Sequence, residues 1–66
     1  MQIVLNGEPL TVPAGMVLTG LLESLGLAED RVAVELDRRI VKRAEWAETV
    51  LHEGSVVEVV QFVGGG

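Results

Sequence analysis

Asn6-Gly7 lies between two short runs of strand-forming residues, QIVL before it and PLTV shortly after it. Both central residues of a type I′ turn need positive φ, so Asn-Gly between such runs is the strongest short signal for a β-hairpin. A chain of 66 residues that folds back in this way has committed part of its length to a sheet. What remains must cover one face of that sheet. Ile3 and Leu5 alternate onto one side and Val4 onto the other. On the returning run Leu10 and Val12 share a face. Pro9 has no N–H to give a ladder, so this strand is an edge or enters through its first residue.

The only long helical pattern follows. In MVLTGLLESLGL, residues Leu18, Leu21, Leu22 and Leu25 repeat at the i, i+3, i+4, i+7 spacing of one helical face. The pattern predicts a helix over roughly 17–26, with ends uncertain by about 2–4 residues. Gly26 suits the C-cap, and Leu27 suits the apolar contact just beyond it. The start is weaker, because Val17 stands where Ser, Thr or Asp would cap. Gly20 inside the helix costs about 1 kcal/mol relative to alanine. The helix therefore rests on its leucine face more than on propensity.

RVAVEL reads as a strand with Val32, Val34 and Leu36 on one face and Ala33 and Glu35 on the other. DRRIVKR reads as a turn and a very short strand around Ile40-Val41. AEWAETVLHEGS is irregular or a single helical turn, with Trp46 expected to cover the core and Gly54-Ser55 to form the next turn. VVEVVQFV is the last strand. The order implies an α+β domain, a small mixed sheet of four to five strands with one main helix packed across it. The expected core is Ile3, Leu5, Leu10, Val12, Leu18, Leu21, Leu22, Leu25, Val32, Val34, Leu36, Val57 and Val59. Val4, Ala33, Val60 and Phe62 are out of phase with that set. They are expected on the opposite face as an exposed apolar patch with Glu58 at its rim, a candidate partner surface.

The formal charge of −5 argues against a phosphate backbone as partner. The charge is uneven. All five cations lie between Arg31 and Arg43, and with Glu35 and Asp37 they leave that segment at +3 and the rest at −8. A solvated basic edge or a docking edge for an acidic partner both fit. No apolar run approaches the ~18 residues of a membrane span, and MQIVLNG has no signal-peptide pattern; the expectation is a soluble cytoplasmic protein. Enzyme chemistry is poorly provided for. There is no cysteine, and His52 is the single histidine. No metal-ligand cluster or phosphate cradle is present in the sequence, so no metal site, bound cofactor or catalytic residue is expected.

What stands out is Gly64-Gly65-Gly66 directly after a strand. Three glycines bury almost nothing. Their chemical use is as an acyl donor through the Gly66 α-carboxylate. Glycine has no Cβ to obstruct a narrow channel, no hindrance at the carboxyl carbon and no stereocentre to racemise. Three to five extended residues reach roughly 10–17 Å, enough to enter a partner's active site while the domain stays outside. A frayed end remains the plain alternative.

Taken together, MQIVLNGEP, GLLESLGL, VAVELDRRIVKRAEW and LHEGSVVEVVQFVGGG resemble the ThiS family, the sulfur carriers of thiazole formation in thiamine biosynthesis. Val17 departs from the family's usual threonine. The resemblance implies a ubiquitin-like β-grasp domain over 1–63, with first and last strands adjacent and parallel, and a flexible glycine tail over 64–66. It implies that an adenylating enzyme of the ubiquitin-activating type uses ATP to convert Gly66 to an acyl-adenylate, while Gly64 and Gly65 thread the channel. A sulfur source, ultimately a cysteine desulfurase, then gives a thiocarboxylate that thiazole synthase consumes. The chain itself would catalyse nothing. The small subunit of molybdopterin synthase, or a non-covalent β-grasp interaction module, are the alternative readings.

Overall fold

The computed structural model describes residues 1–62. Strands β1 (Gln2–Leu5) and β2 (Glu8–Thr11) form the antiparallel hairpin, with Ile3 opposite Leu10 and Val4 opposite Pro9. Asn6 and Gly7 take φ values of 49° and 83°, as a type I′ turn requires. Strands β3 (Val32–Leu36) and β4 (Arg39–Val41) make a second hairpin. Its turn also has two residues at positive φ, Asp37 at 51° and Arg38 at 70°. Arg38 holds that conformation without the help glycine would give, at a cost of roughly 1–2 kcal/mol. Strand β5 (Val56–Gln61) lies in the middle. The sheet order is β2-β1-β5-β3-β4, with β1 and β5 parallel and the other pairs antiparallel. Five strands fall within the expected four to five, the first and last are adjacent and parallel as the resemblance implies, and β2 is an edge strand, one of the two placements Pro9 allows.

The helix α1 spans Leu18–Ser24, shorter than expected at both ends. At its start Val17 is extended and makes no side-chain cap. It forms an antiparallel bridge with Val50, and the Leu18 N–H donates to the Thr49 carbonyl at 3.0 Å. A neighbouring backbone thus supplies a partner for a free helix N–H, which is what a Ser or Thr cap would otherwise do. At its end Gly26 turns to φ 71°. The Leu27 N–H then reaches the Leu22 carbonyl and the Gly26 N–H the Glu23 carbonyl, both at 3.0 Å. These two bonds define a Schellman motif. The motif corrects one core assignment. Leu25 would face inward only if the helix continued; as the cap residue it is 37% exposed, and Leu27 packs on the core instead.

Leu18, Leu21 and Leu22 are fully buried with Ile3, Val34 and Val57, and the expected Val12 and Val32 are buried too. Leu5, Leu10, Leu36 and Val59 are half-buried and pack against this core. Two further large side chains belong to it, Trp46 and Leu51. Trp46 sits on a 3-10 helix, Arg43–Glu48, and its indole N–H donates to the Val41 carbonyl at 2.8 Å. Leu51 comes from a stretch with no periodicity to reveal it. The buried Ser55 hydroxyl accepts the His52 N–H at 2.9 Å.

A Cβ placed on Gly20 would meet Met16 at 3.8 Å and Val17 at 4.0 Å, ordinary contact distances. Gly20→Ala therefore removes the helix-interior glycine without a clash. It should stabilise the domain by about 0.5–1 kcal/mol, raising Tm by roughly 4–8 °C for each kcal/mol. An unchanged or lower Tm in a thermal melt would show that position 20 needs glycine for another reason.

Candidate functional site at the end of the central strand

β5 leads to the site, because Gly64, Gly65 and Gly66 follow it in the sequence. On one side β5 runs antiparallel to β3, with Glu58 opposite Glu35, Val60 opposite Ala33 and Gln61 opposite Val32. The Phe62 N–H extends this ladder, donating to the Arg31 carbonyl at 2.7 Å. On the other side β1 pairs only as far as Leu5 with Val57. β5 thus starts between two neighbours, and its last residues, through Phe62, are held on the β3 side. Gly64, Gly65 and Gly66, the expected tail and covalent site, lie outside the described residues.

The helix covers one face of the sheet. On the other, Val60 is 58% exposed and Phe62 57%, with Ala33 and Glu58 also exposed. Four of the five expected partner-surface residues are thus gathered at one end of the open face. Val4 is not among them. It is half-buried and paired with Val56, four residues along β5 from Val60, or about 13 Å at strand spacing. One member was not expected. Among the described residues Ile40 is the most exposed large apolar side chain, at 80%, and it lies opposite Glu35. With Ala33, Glu35, Glu58 and Val60 it lines a shallow depression of about 120 Å³. Period-2 alternation could have found it, since Val41 turns inward in the same three-residue strand and leaves Ile40 to the open face.

Charge frames this surface. Glu35 and Glu58 oppose each other directly, a like-charged cross-strand pair that costs stability. The edge strand β4 and its flanks carry Arg38, Arg39, Lys42 and Arg43. Arg43 meets Glu29 at 3.5 Å, both well exposed, so that contact adds little stability. The open face is therefore apolar with an acidic centre and a basic edge. Among the described residues no three His, Cys, Asp or Glu side chains come together to hold a metal ion. His52 is exposed, in the turn before β5 and away from its far end.

The model of the ThiS family matches residues 3–66. The chain belongs to the ThiS family. Its fold is accordingly the ubiquitin-like β-grasp. The crystal structure of the thiamine biosynthesis protein ThiS from Geobacter metallireducens is 35% identical in sequence, with a TM-score of 0.85 and all of both chains covered. The sulfur carrier protein ThiS of Escherichia coli is 30% identical over 66 residues, again the whole of both chains. A thiazole synthase of Magnetococcus marinus is 48% identical over 66 residues, but there the match covers all of this chain and only 20% of the relative. This ThiS-family chain thus spans about a fifth of that enzyme's length.

Proposed function

We propose that the chain carries sulfur for thiazole formation in thiamine synthesis, on a thiocarboxylate at Gly66. The observation that carries the reading is positional. A member of a sulfur-carrier family has a central strand β5 between β1 and β3, and Gly64-Gly65-Gly66 follow it two residues later in the sequence. The chain acts as a cosubstrate rather than a catalyst. A Gly66 carboxylate oxygen attacks the α-phosphorus of ATP in an adenylating enzyme, and pyrophosphate leaves. A sulfur nucleophile, fed ultimately by a cysteine desulfurase, then displaces AMP from the acyl carbon. Where that nucleophile is a persulfide, a thiol then attacks the donor-side sulfur of the acyl disulfide, forming a disulfide with it and releasing the thiocarboxylate, and thiazole synthase is its consumer. The relative from Magnetococcus marinus supports that last partner, since a segment like this chain there forms part of a protein named thiazole synthase. Joining carrier and consumer in one polypeptide raises their effective concentration.

The direct test is intact mass spectrometry after incubation with ATP, the adenylating enzyme and a sulfur source. The expected result is a gain equal to exchange of one oxygen for one sulfur, mapped to Gly66 and reversed by alkaline hydrolysis. No gain with an enzyme of verified activity, or a gain on a side chain, overturns the reading.

The same reading assigns the open-face patch of Ala33, Glu58, Val60 and Phe62, extended by Ile40, to docking of the adenylating enzyme and thiazole synthase. Exposed apolar patches of this kind mark partner surfaces. Phe62→Ala should weaken both complexes by about tenfold, or ~1.4 kcal/mol. Because Phe62 is 57% exposed, the melting temperature should stay within a few degrees of the parent. Titration calorimetry giving unchanged affinities for both partners would remove the patch from the mechanism.

A further inference from the structure

Asn6 serves two elements at once. Its backbone, at φ 49°, makes the turn between β1 and β2. Its side chain crosses to β5, where Nδ2 donates to the Val59 carbonyl at 3.3 Å and Oδ1 accepts the Val59 N–H at 2.8 Å. The last backbone bond from this side is the Asn6 N–H to the Val57 carbonyl, at 2.9 Å. Beyond it the chain turns away into β2. The carboxamide has the donor and acceptor of a peptide group, and it occupies the place that the next residue of β1 would fill. The ladder on this flank of β5 is thereby carried one step past the end of its neighbouring strand.

We propose that Asn6 is a positioning residue for the carrier reaction, fixing the heading of β5 and so the direction in which the chain leaves the sheet toward Gly66. This rests on the sulfur-carrier reading above. A strand bonded to β3 alone is free to twist about that one ladder. Gly66 lies seven residues beyond Val59, a reach of roughly 23 Å for a chain extended in a partner's channel. A change in the heading of β5 at Val59 changes where the chain enters that channel, and misplacement of the carboxylate by about 1 Å can cost 10²-fold in rate. Docking does not need the carboxamide, because the exposed apolar patch lies at Ala33, Ile40, Val60 and Phe62.

Asn6→Gly tests this, since glycine keeps the left-handed turn and loses only the carboxamide. Asn6→Asp is the conservative partner, keeping an acceptor for the Val59 N–H but no donor for its carbonyl. The assay is pyrophosphate release as the adenylating enzyme joins the Gly66 carboxylate to the α-phosphorus of ATP. With Asn6→Gly, kcat should fall about tenfold while KM for the carrier changes less than twofold. Asn6→Asp should fall between the glycine variant and the parent, and hydrogen exchange at the Val59 amide should accelerate in Asn6→Gly. Unchanged kcat with faster Val59 exchange makes the clamp purely structural and overturns the proposal, as does unchanged exchange. A rise in KM alone moves Asn6 to docking and also overturns it. A parent that is not adenylated at all sinks the carrier reading itself, a result seen without any variant.

Discussion

One residue appended after Gly66 should abolish sulfur loading, with no thiocarboxylate detected where the parent is fully converted. The new α-carboxylate stands about 3.4 Å farther along an extended chain, past the α-phosphorus that a docked domain aligns with Gly66. The Gly66 carbonyl, now in an amide, has no carboxylate oxygen to attack with. A loss of at least 10²-fold in the adenylation rate follows from the geometry alone. Folding should be untouched, because among the described residues the buried core ends at Val57, with Val59 packed against it, and the last described ladder bond is at Phe62. Gly65→Ala is the graded companion. A Cβ next to the reacting residue should cost about tenfold, while His52→Ala changes nothing. Intact mass spectrometry reads all three. Full loading of the extended chain would mean that the sulfur is held elsewhere, and the carrier reading would not survive it.

The parts of the fold legible in the sequence were those set by short-range chemistry. Asn6-Gly7 announced its turn because positive φ restricts which residues can stand there. Leu18, Leu21 and Leu22 announced a buried helical face by spacing, and Gly26 announced its end. The sequence misled where a distant segment supplied what a local residue lacked. Val17 looks like a poor cap until Thr49 and Val50 are seen beside it. Leu51 was hidden for the same reason, since its N–H donates to the Met16 carbonyl at 2.8 Å from a stretch with no repeat. The open face was half legible. Alternation put Ala33, Glu58, Val60 and Phe62 there, but only the strand order shows that Val4 lies far from Val60 and that Ile40 lies near Glu35. The second bond set of Asn6 was beyond reach, because a side chain completing a parallel ladder needs β1 and β5 to be placed together first.

Trp46→Ala should leave the domain largely unfolded at 37 °C. Trp46 is the largest buried side chain and only 2% exposed, and truncating such a residue costs about 3–5 kcal/mol. Domains hold roughly 5–15 kcal/mol in total, and one of this length stands near the lower limit for independent folding. The loss is not packing alone. The indole N–H satisfies the carbonyl of Val41, the last residue of edge strand β4, which has only β3 to pair with. Trp46→Phe separates the two contributions by keeping an aromatic ring and deleting the donor. It should cost about 1–2 kcal/mol more than the volume change explains, as an acceptor is left without its partner. That cost should appear locally, as faster amide exchange in β4 around Ile40 and weaker docking at the groove Ile40 lines. Circular dichroism melts of both variants, with the exchange profile of Trp46→Phe, check this chain of effects. A Trp46→Ala protein that melts with the parent would show that the tryptophan lies over the core without holding it. A Trp46→Phe protein with an undisturbed β4 would show that the bond to Val41 does not tie that edge down.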